Sequence, residues 1–305
     1  MTEATQPLVS VVIPTYNHAH FLGRALQSVL DQTFPNWEAI VIDNHSGDNT
    51  DQVIQSFNDA RITTLKIHND GIIAASRNAG IRAAKGDWIA FLDSDDLWYP
   101  QKLATALKGI AEDMTVDVCS TDEVLVNELT GDRSVLEYGP CSSSLYKELL
   151  VEGNRFSPSA ALVRRDFLSR MGIGFRENKE FVTAEDYDLW MLLARAGAKF
   201  KCVHSVQGEY RIHANNSSGQ IAKHSQNAGN VIRDHVYRLQ AFETDRDRLW
   251  RSINARLLVT RSKNLILQRQ FIAGFLALVN ACRSSSSSTV GYVFHRLLKL
   301  TRRSR

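Results

Sequence analysis

Three carboxylates fall within four positions, Asp93, Asp95 and Asp96, directly after the apolar run Trp88-Ile89-Ala90-Phe91-Leu92. Acids this close repel one another, and a hard divalent cation is the usual remedy. Mg²⁺ and Mn²⁺ take oxygen ligands and commonly share them with substrate phosphates. The plainer alternative is an acidic loop capping the next helix, with Asp96 near its N-terminus. Two more clusters carry similar chemistry. Glu185-Asp186 opens a segment with buried-helix spacing at Leu189, Trp190, Leu192 and Leu193, and Arg211 and His213 lie together in a late polar stretch. A carboxylate can take the proton of an attacking hydroxyl, and a cation and an imidazole can offset charge on a leaving group. Taken singly, each also has a structural explanation. Asp186 can be an acid favoured by a helix N-terminus, His213 an ordinary loop histidine, and Arg77 a surface helix charge.

The elements that must position these groups follow from hydrophobic period. Leu8–Ile13, Trp37–Ile42 and Trp88–Leu92 are apolar runs bounded by turn residues, the pattern of buried strands, and Ile62–Ile67 is a weaker fourth. Helical spacing over Phe21–Leu30, Asp51–Phe57 and Gly71–Ala84 separates them. This alternation predicts an α/β fold, a doubly wound and mostly parallel sheet across about the first hundred residues, with helices on both faces. The loops after the strands then meet on one edge, where such sheets bind ligands. Thr15, Tyr16, Asp43, Asn44 and Asp95 would share that crevice. Further on, a helix is expected over Gln101–Ala111, a β-pair from Val116–Cys119 and Glu123–Val126, and irregular chain over Thr130–Ser144. Strands are expected at Ser159–Val163 and Lys199–Val203. A polar loop spans Ala214–Gly219, and beyond Gln220 the pattern is helical.

The 305 residues suit one large α/β domain with an appendage, read as 1–219 (halves 8–100 and 101–219) and a helical extension over 220–305. The serine run 284–288 reads as a linker. A net charge of +3 gives no argument for nucleic acid. Cys119, Cys141, Cys202 and Cys282 show no metal-site spacing, and free thiols in a reduced, cytoplasmic protein are the simplest expectation. No run reaches the length of a membrane span. The segment Val290–Leu300, with Arg296 and Lys299, is a short basic amphipathic helix that can lie on the inner face of a membrane or pack on its own domain. No GxGxxG follows the first strand, and GxxxxGK[ST] is absent.

The stretches VSVVIPTYN, VIDNHSGDNT and SRNAGIRAAKGDWIAFLDSDD, with the later Glu-Asp pair and Tyr-Arg-x-His, resemble the inverting family 2 glycosyltransferases, which have the GT-A fold. The resemblance covers residues 8–215, densely over the first hundred. It implies a nucleotide-sugar donor between the first two strand ends, a saccharide or lipid-linked saccharide acceptor, and a divalent cation. Tyr16 would flank the base, with Thr15 beside it. Asp43 and Asn44 would contact the nucleoside, and Arg77 would lie near base or phosphates. Asp93 and Asp95 match the family's DxD motif, with Asp95 the direct metal ligand and Asp93 reaching ribose or metal through water. Asp186 matches the catalytic base, with Glu185 its neighbour. His213 matches a residue near metal or diphosphate, and Arg211 would help hold the leaving group. Relatives of this kind build surface polysaccharide, lipopolysaccharide or glycolipid.

One departure bears on the donor. Many relatives carry an acid where this chain has Asn44, and an amide both donates and accepts, so the base stays open. Two other classes share a nucleotide crevice: a metal-dependent nucleotidyltransferase and a non-catalytic binding component of a polysaccharide assembly complex. The first normally carries a Gly-rich, basic loop after strand one, where this chain has VVIPTYNHAH. The second predicts loss of the acids, yet Asp93, Asp95 and Asp186 are all present.

Overall fold

The computed structural model describes residues 8–213, 221–267 and 269–293. These fall into two compact units, 8–146 with 154–213, and 147–153 with 221–293. The expected boundary at 219/220 and the loop Ala214–Gly219 lie outside the described residues, as does the basic segment from 294 onward.

The first unit is built on a sheet of nine strands. Its first half alternates as expected: β1 (Val9–Thr15), α1 (Ala19–Leu30), β2 (Trp37–Asp43), α2 (Thr50–Ser56), β3 (Ile62–Lys66), α3 (Ile73–Ala83) and β4 (Trp88–Phe91). All three strand pairings here, β3 to β2, β2 to β1 and β1 to β4, are parallel. Side chains alternate faces along a strand. Val9, Val11 and Ile13 of β1 therefore join the core with Leu22, Leu26 and Val29 of α1. Val12 points the other way, under α3. Both faces are covered, which is why the strands read as nearly unbroken apolar runs.

Gly80 sets the approach of α3 to the sheet. A Cβ there would sit 2.4 Å from Val12 Cγ1 and 2.9 Å from Ile42 Cδ1. Alanine ordinarily favours a helix interior by about 1 kcal/mol over glycine, but overpacking a tight core costs about 1–3 kcal/mol. Gly80→Ala is therefore expected to lower stability by up to about 2 kcal/mol, read as a reduced urea midpoint at unchanged slope. A midpoint equal to or above that of the parent protein would contradict this packing.

The second half of the unit adds antiparallel pairings to this parallel half. It contains β5 (Leu97–Trp98), α4 (Lys102–Ala111), β6 (Val118–Asn127), β7 (Arg133–Leu136), the first residues of α5 (Leu145–Glu152), whose remainder from Lys147 belongs to the second unit, then β8 (Ala161–Arg164), α6 (Arg165–Met171), α7 (Glu185–Arg195) and β9 (Phe200–Ile212). The order across the sheet is β3-β2-β1-β4-β8-β6-β9-β5, with β7 on β6. β8 runs antiparallel to both β4 and β6, β6 and β9 are parallel, and β5 and β7 pair antiparallel. The sheet is thus mixed.

The expected pair at 116–119 and 123–126 is one strand, β6. Its polar middle is buried and satisfied by distant partners. Thr121 Oγ1 accepts from Lys102 Nζ at 2.6 Å, and Asp122 Oδ1 accepts from the Tyr138 amide at 2.9 Å. Part of the stretch read as irregular forms β7. The strand expected at Lys199–Val203 runs on to Ile212 as β9, whose register against β6 shifts near Thr121 and Asp122. Cys141 and Cys202 correct the thiol expectation, being joined in a disulfide across 61 positions. Cys119 is a buried free thiol and Cys282 an exposed one.

The second unit holds α8 (Ile221–Asp234), a π-helical turn over His235–Leu239, α9 (Arg246–Leu267) and α10 (Phe271–Ser284). The serine run is not an open linker. Ser284 ends α10, and a further helical stretch covers 286–293. Serine hydroxyls cap helices well: Ser285 Oγ accepts from the Ser288 amide at 3.4 Å, and Ser288 Oγ donates to Ser252 Oγ of α9 at 2.9 Å. Among the described residues no helix is long and apolar enough to cross a membrane.

Candidate active site

Parallel register brings the chemistry to one edge. Thr15 pairs with Asp43 at the ends of β1 and β2, and the Leu92 amide donates to Val12 O as β4 ends beside β1. The first two loops are tied together. Asn17 Oδ1 accepts from the Gly47 amide at 2.8 Å, Ser46 Oγ accepts from the Asn17 amide at 2.8 Å, and Asp48 Oδ2 accepts from the Ala19 amide. Asn17 and His45 take positive φ here, both at 53°. Side chains of Asn and His tolerate that region better than most. Thr183, just before α7, is also left-handed at φ 75°, which a β-branched residue adopts only under constraint.

Asp43 is fully buried. Its Oδ1 accepts from the Ser46 amide and hydroxyl, while Oδ2 has no hydrogen-bond partner among the described residues and lies 3.9 Å from Lys66 Nζ. Thr15 Oγ1 is buried and likewise without a partner. Tyr16, at the rim, is 55% exposed. An unpaired buried acceptor is costly, so this corner suits a ligand that brings hydrogen-bond donors. Asn44 faces a neighbouring loop: its Oδ1 accepts from the Asn69 amide at 2.9 Å. His45 stacks on His68 with ring centroids 3.8 Å apart.

The acidic end of β4 is held by buried cations and a hydroxyl. Arg77 of α3 donates to Asp93 Oδ1 at 2.7 Å and to Glu185 Oε1 at 2.6 Å, over the ring of Phe175. Burial alone would lower the guanidinium pKa. The charges of Asp93 and Glu185 more than offset this and raise it. The residues beside Arg77 fix its helix. Ser76 Oγ accepts from Asn69 Nδ2, and Asn78 donates to Phe175 O and accepts from the Phe175 amide.

Asp95 Oδ2 lies 3.0 Å from His213 Nε2. Burial and the neighbouring Asp93 charge push the Asp95 carboxyl above the usual range, against the His213 contact. His18 meets Ser94 Oγ through Nδ1 at 3.0 Å, and burial lowers its pKa. Asp96 is buried. It accepts from Ser159 Oγ at 2.6 Å and from the Arg211 amide at 3.0 Å. Desolvation, with the charges of Asp95 and Glu123, drives its pKa well up.

These contacts gather Arg77, Asp93 and Glu185 into one network and Asp95 with His213 into another. They separate Glu185 from Asp186. Glu185 is buried against Arg77, whereas Asp186 is half-exposed and accepts from Asn154 Nδ2 at 3.1 Å. The Arg211 side chain pairs with Glu128 at 2.6 Å and with Glu209, so it is the backbone of Arg211 that reaches the acidic cluster. Sequence reading missed Ser159, Lys102 and Asn154. Ser159 Oγ also accepts from the Asp93 amide, and Ser159 O accepts from Trp98 Nε1. Lys102 Nζ donates to Ala160 O, and burial lowers its pKa to about 8. The Pro158–Ala160 turn thus clamps the end of β4. No local pattern carries that signal, because every partner is distant in sequence.

A divalent cation fits Asp95 and His213 by donor chemistry. One carboxylate oxygen and one imidazole nitrogen converge beside a second acid, and added positive charge would offset both the burial and the Asp93 repulsion that raise Asp95. Among the described residues no group of three or more His, Cys, Asp and Glu could hold a metal ion. A cation held by Asp95 and His213 would have to complete its shell with phosphate oxygens and water.

A chain with this mixed sheet and acidic strand end has the architecture of the GT-A transferases. Two solved structures share its fold. S. aureus TarS 1-349 in complex with UDP-GlcNAc aligns over 90% of this chain and 81% of its own, with TM-score 0.65 and 21% identity. The mannosyltransferase PcManGT from Pyrobaculum calidifontis, in complex with GDP-Man and Mn²⁺, aligns over 97% and 81%, with TM-score 0.62 and 20% identity. Residues 10–172 match the model of glycosyl transferase family 2, and the chain belongs to that family. Among its relatives, the Escherichia coli UDP-Glc:alpha-D-GlcNAc-diphosphoundecaprenol beta-1,3-glucosyltransferase WfgD is 27% identical over 75% of this chain and 87% of its own length. The putative colanic acid biosynthesis glycosyl transferase WcaA of E. coli K12 is 30% identical over 79% and 84%.

Proposed function

We propose that this glycosyltransferase moves a sugar from a UDP-sugar to a hydroxyl of a lipid-linked saccharide, with inversion, in the assembly of a surface polysaccharide. The observation that carries this reading is the pairing of Asp95 with His213 at the end of β4, with Arg77 linking that same strand end to the Glu185-Asp186 helix. UDP as carrier, and a lipid diphosphate acceptor, are supported by relatives named for them. Asp43 and Thr15 supply the buried acceptors that meet the nucleoside, and Tyr16 covers it from the rim. Asp95 and His213 would hold a divalent cation, which supplies charge stabilisation for the departing diphosphate. Asp186 takes the proton of the acceptor hydroxyl as it attacks the anomeric carbon. Asn154 orients that carboxylate, while Glu185 and Arg77 fix the first turn of α7. Attack from the face opposite the diphosphate inverts the configuration without a covalent intermediate.

Calorimetric titration with UDP-, dTDP- and GDP-sugars, each with Mn²⁺, Mg²⁺ or chelator, tests the reading. UDP-sugar is expected to bind only with metal, and Asp95→Ala to weaken that binding at least about tenfold. Failure of every nucleotide sugar to bind, with either metal, would overturn it. Tight binding of the GDP- or dTDP-sugar alone would overturn the choice of base.

A further inference from the structure

Helix α10 carries apolar surface on two sides. Gly274, Ala277 and Ala281 recur at helical spacing and are buried. This side lies against α9: a Cβ on Gly274 would meet Ile266 Cγ1 at 2.7 Å, and Gly274 O accepts from Ser262 Oγ. Small residues here let the two helices approach closely. The large side chains lie on the other side. Phe271 and Phe275 are each 64% exposed, Ile272 81% and Leu276 55%. Positions i, i+1, i+4 and i+5 form one contiguous strip. A helix apolar all round belongs in a core or against a second apolar phase, and a strip of this kind marks an interaction surface.

The surrounding charge identifies what covers it. Among the described residues from Arg248 to Val293 the chain holds seven Lys and Arg and no Asp or Glu, within a protein of net charge +3. Exposed Arg269 precedes the strip, exposed Arg283 lies in the last turn of α10, and exposed Arg261 and Lys263 lie on α9. A second copy of this chain would bring the same cationic surface and be repelled. An anionic bilayer offers both an apolar phase for the strip and opposite charge for its flanks, with long basic side chains reaching up to headgroups.

We propose that α10 docks this protein on an anionic lipid surface, lying in the interfacial plane with Phe271, Ile272, Phe275 and Leu276 inserted. The proposal stands whether or not the sugar-transfer reading does. Interfacial helices bind through buried apolar area together with attraction to anionic lipid. The test is sedimentation of the full chain with vesicles of phosphatidylcholine alone or mixed with phosphatidylglycerol. Binding is expected on the mixed vesicles, weakened by high salt, and lowered at least about tenfold in Phe271→Gln/Phe275→Gln. Both side chains are exposed, so the double variant is expected to keep the parent circular dichroism and Tm. As a second measurement, Phe275→Trp is expected to gain quenching by brominated lipid beyond that of the native tryptophans. The proposal is overturned if the parent protein ignores phosphatidylglycerol vesicles, or if the double variant binds them equally well. It is also overturned if the strip instead holds a dimer that the double variant dissociates in light scattering.

Discussion

Asp186→Asn is expected to lower kcat by about 10²- to 10⁴-fold, the usual contribution of a positioned general base. At about 1.4 kcal/mol per tenfold, this is a loss of about 3–5 kcal/mol of transition-state stabilisation. The substitution keeps size and shape, and the new amide oxygen can still accept from Asn154 Nδ2. What it removes is the ability to take a proton. Donor affinity, set at the ends of β1, β2 and β4, is expected to stay within about twofold, so the loss falls on kcat rather than on binding.

The structure also makes Glu185 a sharp control. Its carboxylate is buried and bonded to Arg77, so it is not presented to an acceptor. Glu185→Gln is expected to lower thermal stability while sparing a larger share of turnover than Asp186→Asn. Steady-state rates at saturating donor and acceptor, beside thermal melts of both variants, separate the two roles. Full kcat in Asp186→Asn with loss of turnover in a well-folded Glu185→Gln would assign the base to Glu185 instead.

The two halves of the sheet differ in how openly the sequence shows them. β1, β2 and β4 are covered on both faces, so Val9–Ile13, Trp37–Ile42 and Trp88–Phe91 appear as apolar runs that local reading finds. β6 hides because Ser120, Thr121, Asp122 and Glu123 are buried polar residues. Their partners Lys102 and Tyr138 come from outside the strand, and a polar run reads as a turn until those partners are seen. The same limit applies at the site. Residue type and spacing single out Asp93, Asp95, Asp186 and His213, but not which neighbour each meets. Arg211 looks like a phosphate ligand in sequence, yet its guanidinium meets Glu128 and Glu209. Ser159 carries no motif at all, and it holds both the Asp93 amide and the Asp96 carboxylate. Cys141 and Cys202 meet only because the sheet brings residues 61 positions apart together.

Arg77→Leu is expected to destabilise the fold by about 3–5 kcal/mol, the cost of leaving buried charge uncompensated. Arg77 is 2% exposed, and its two terminal nitrogens bond carboxylates from different elements, Asp93 after β4 and Glu185 at the start of α7. Glu185 is buried too, and its Oε2 has no other hydrogen-bond partner among the described residues. Removing the guanidinium leaves that carboxylate without its cation. Asp93 is more exposed and can recover water, so most of the loss belongs to Glu185. Two comparisons follow. Arg77→Lys offers one point charge where a planar fork bridged two acids, and it is expected to recover only part of the stability. Arg77→Leu/Glu185→Leu removes both buried charges, and it is expected to be more stable than Arg77→Leu alone. Urea unfolding of the three variants and the parent yields the coupling directly. A loss under about 1 kcal/mol in Arg77→Leu would contradict the bridge, since the usual cost of breaking a buried pair is several times larger. The consequence for catalysis follows from the same contacts: Arg77 fixes Asp93 of the acidic cluster against the turn that presents Asp186. Its loss is expected to weaken donor binding and turnover together, whereas Asp186→Asn is expected to alter turnover alone.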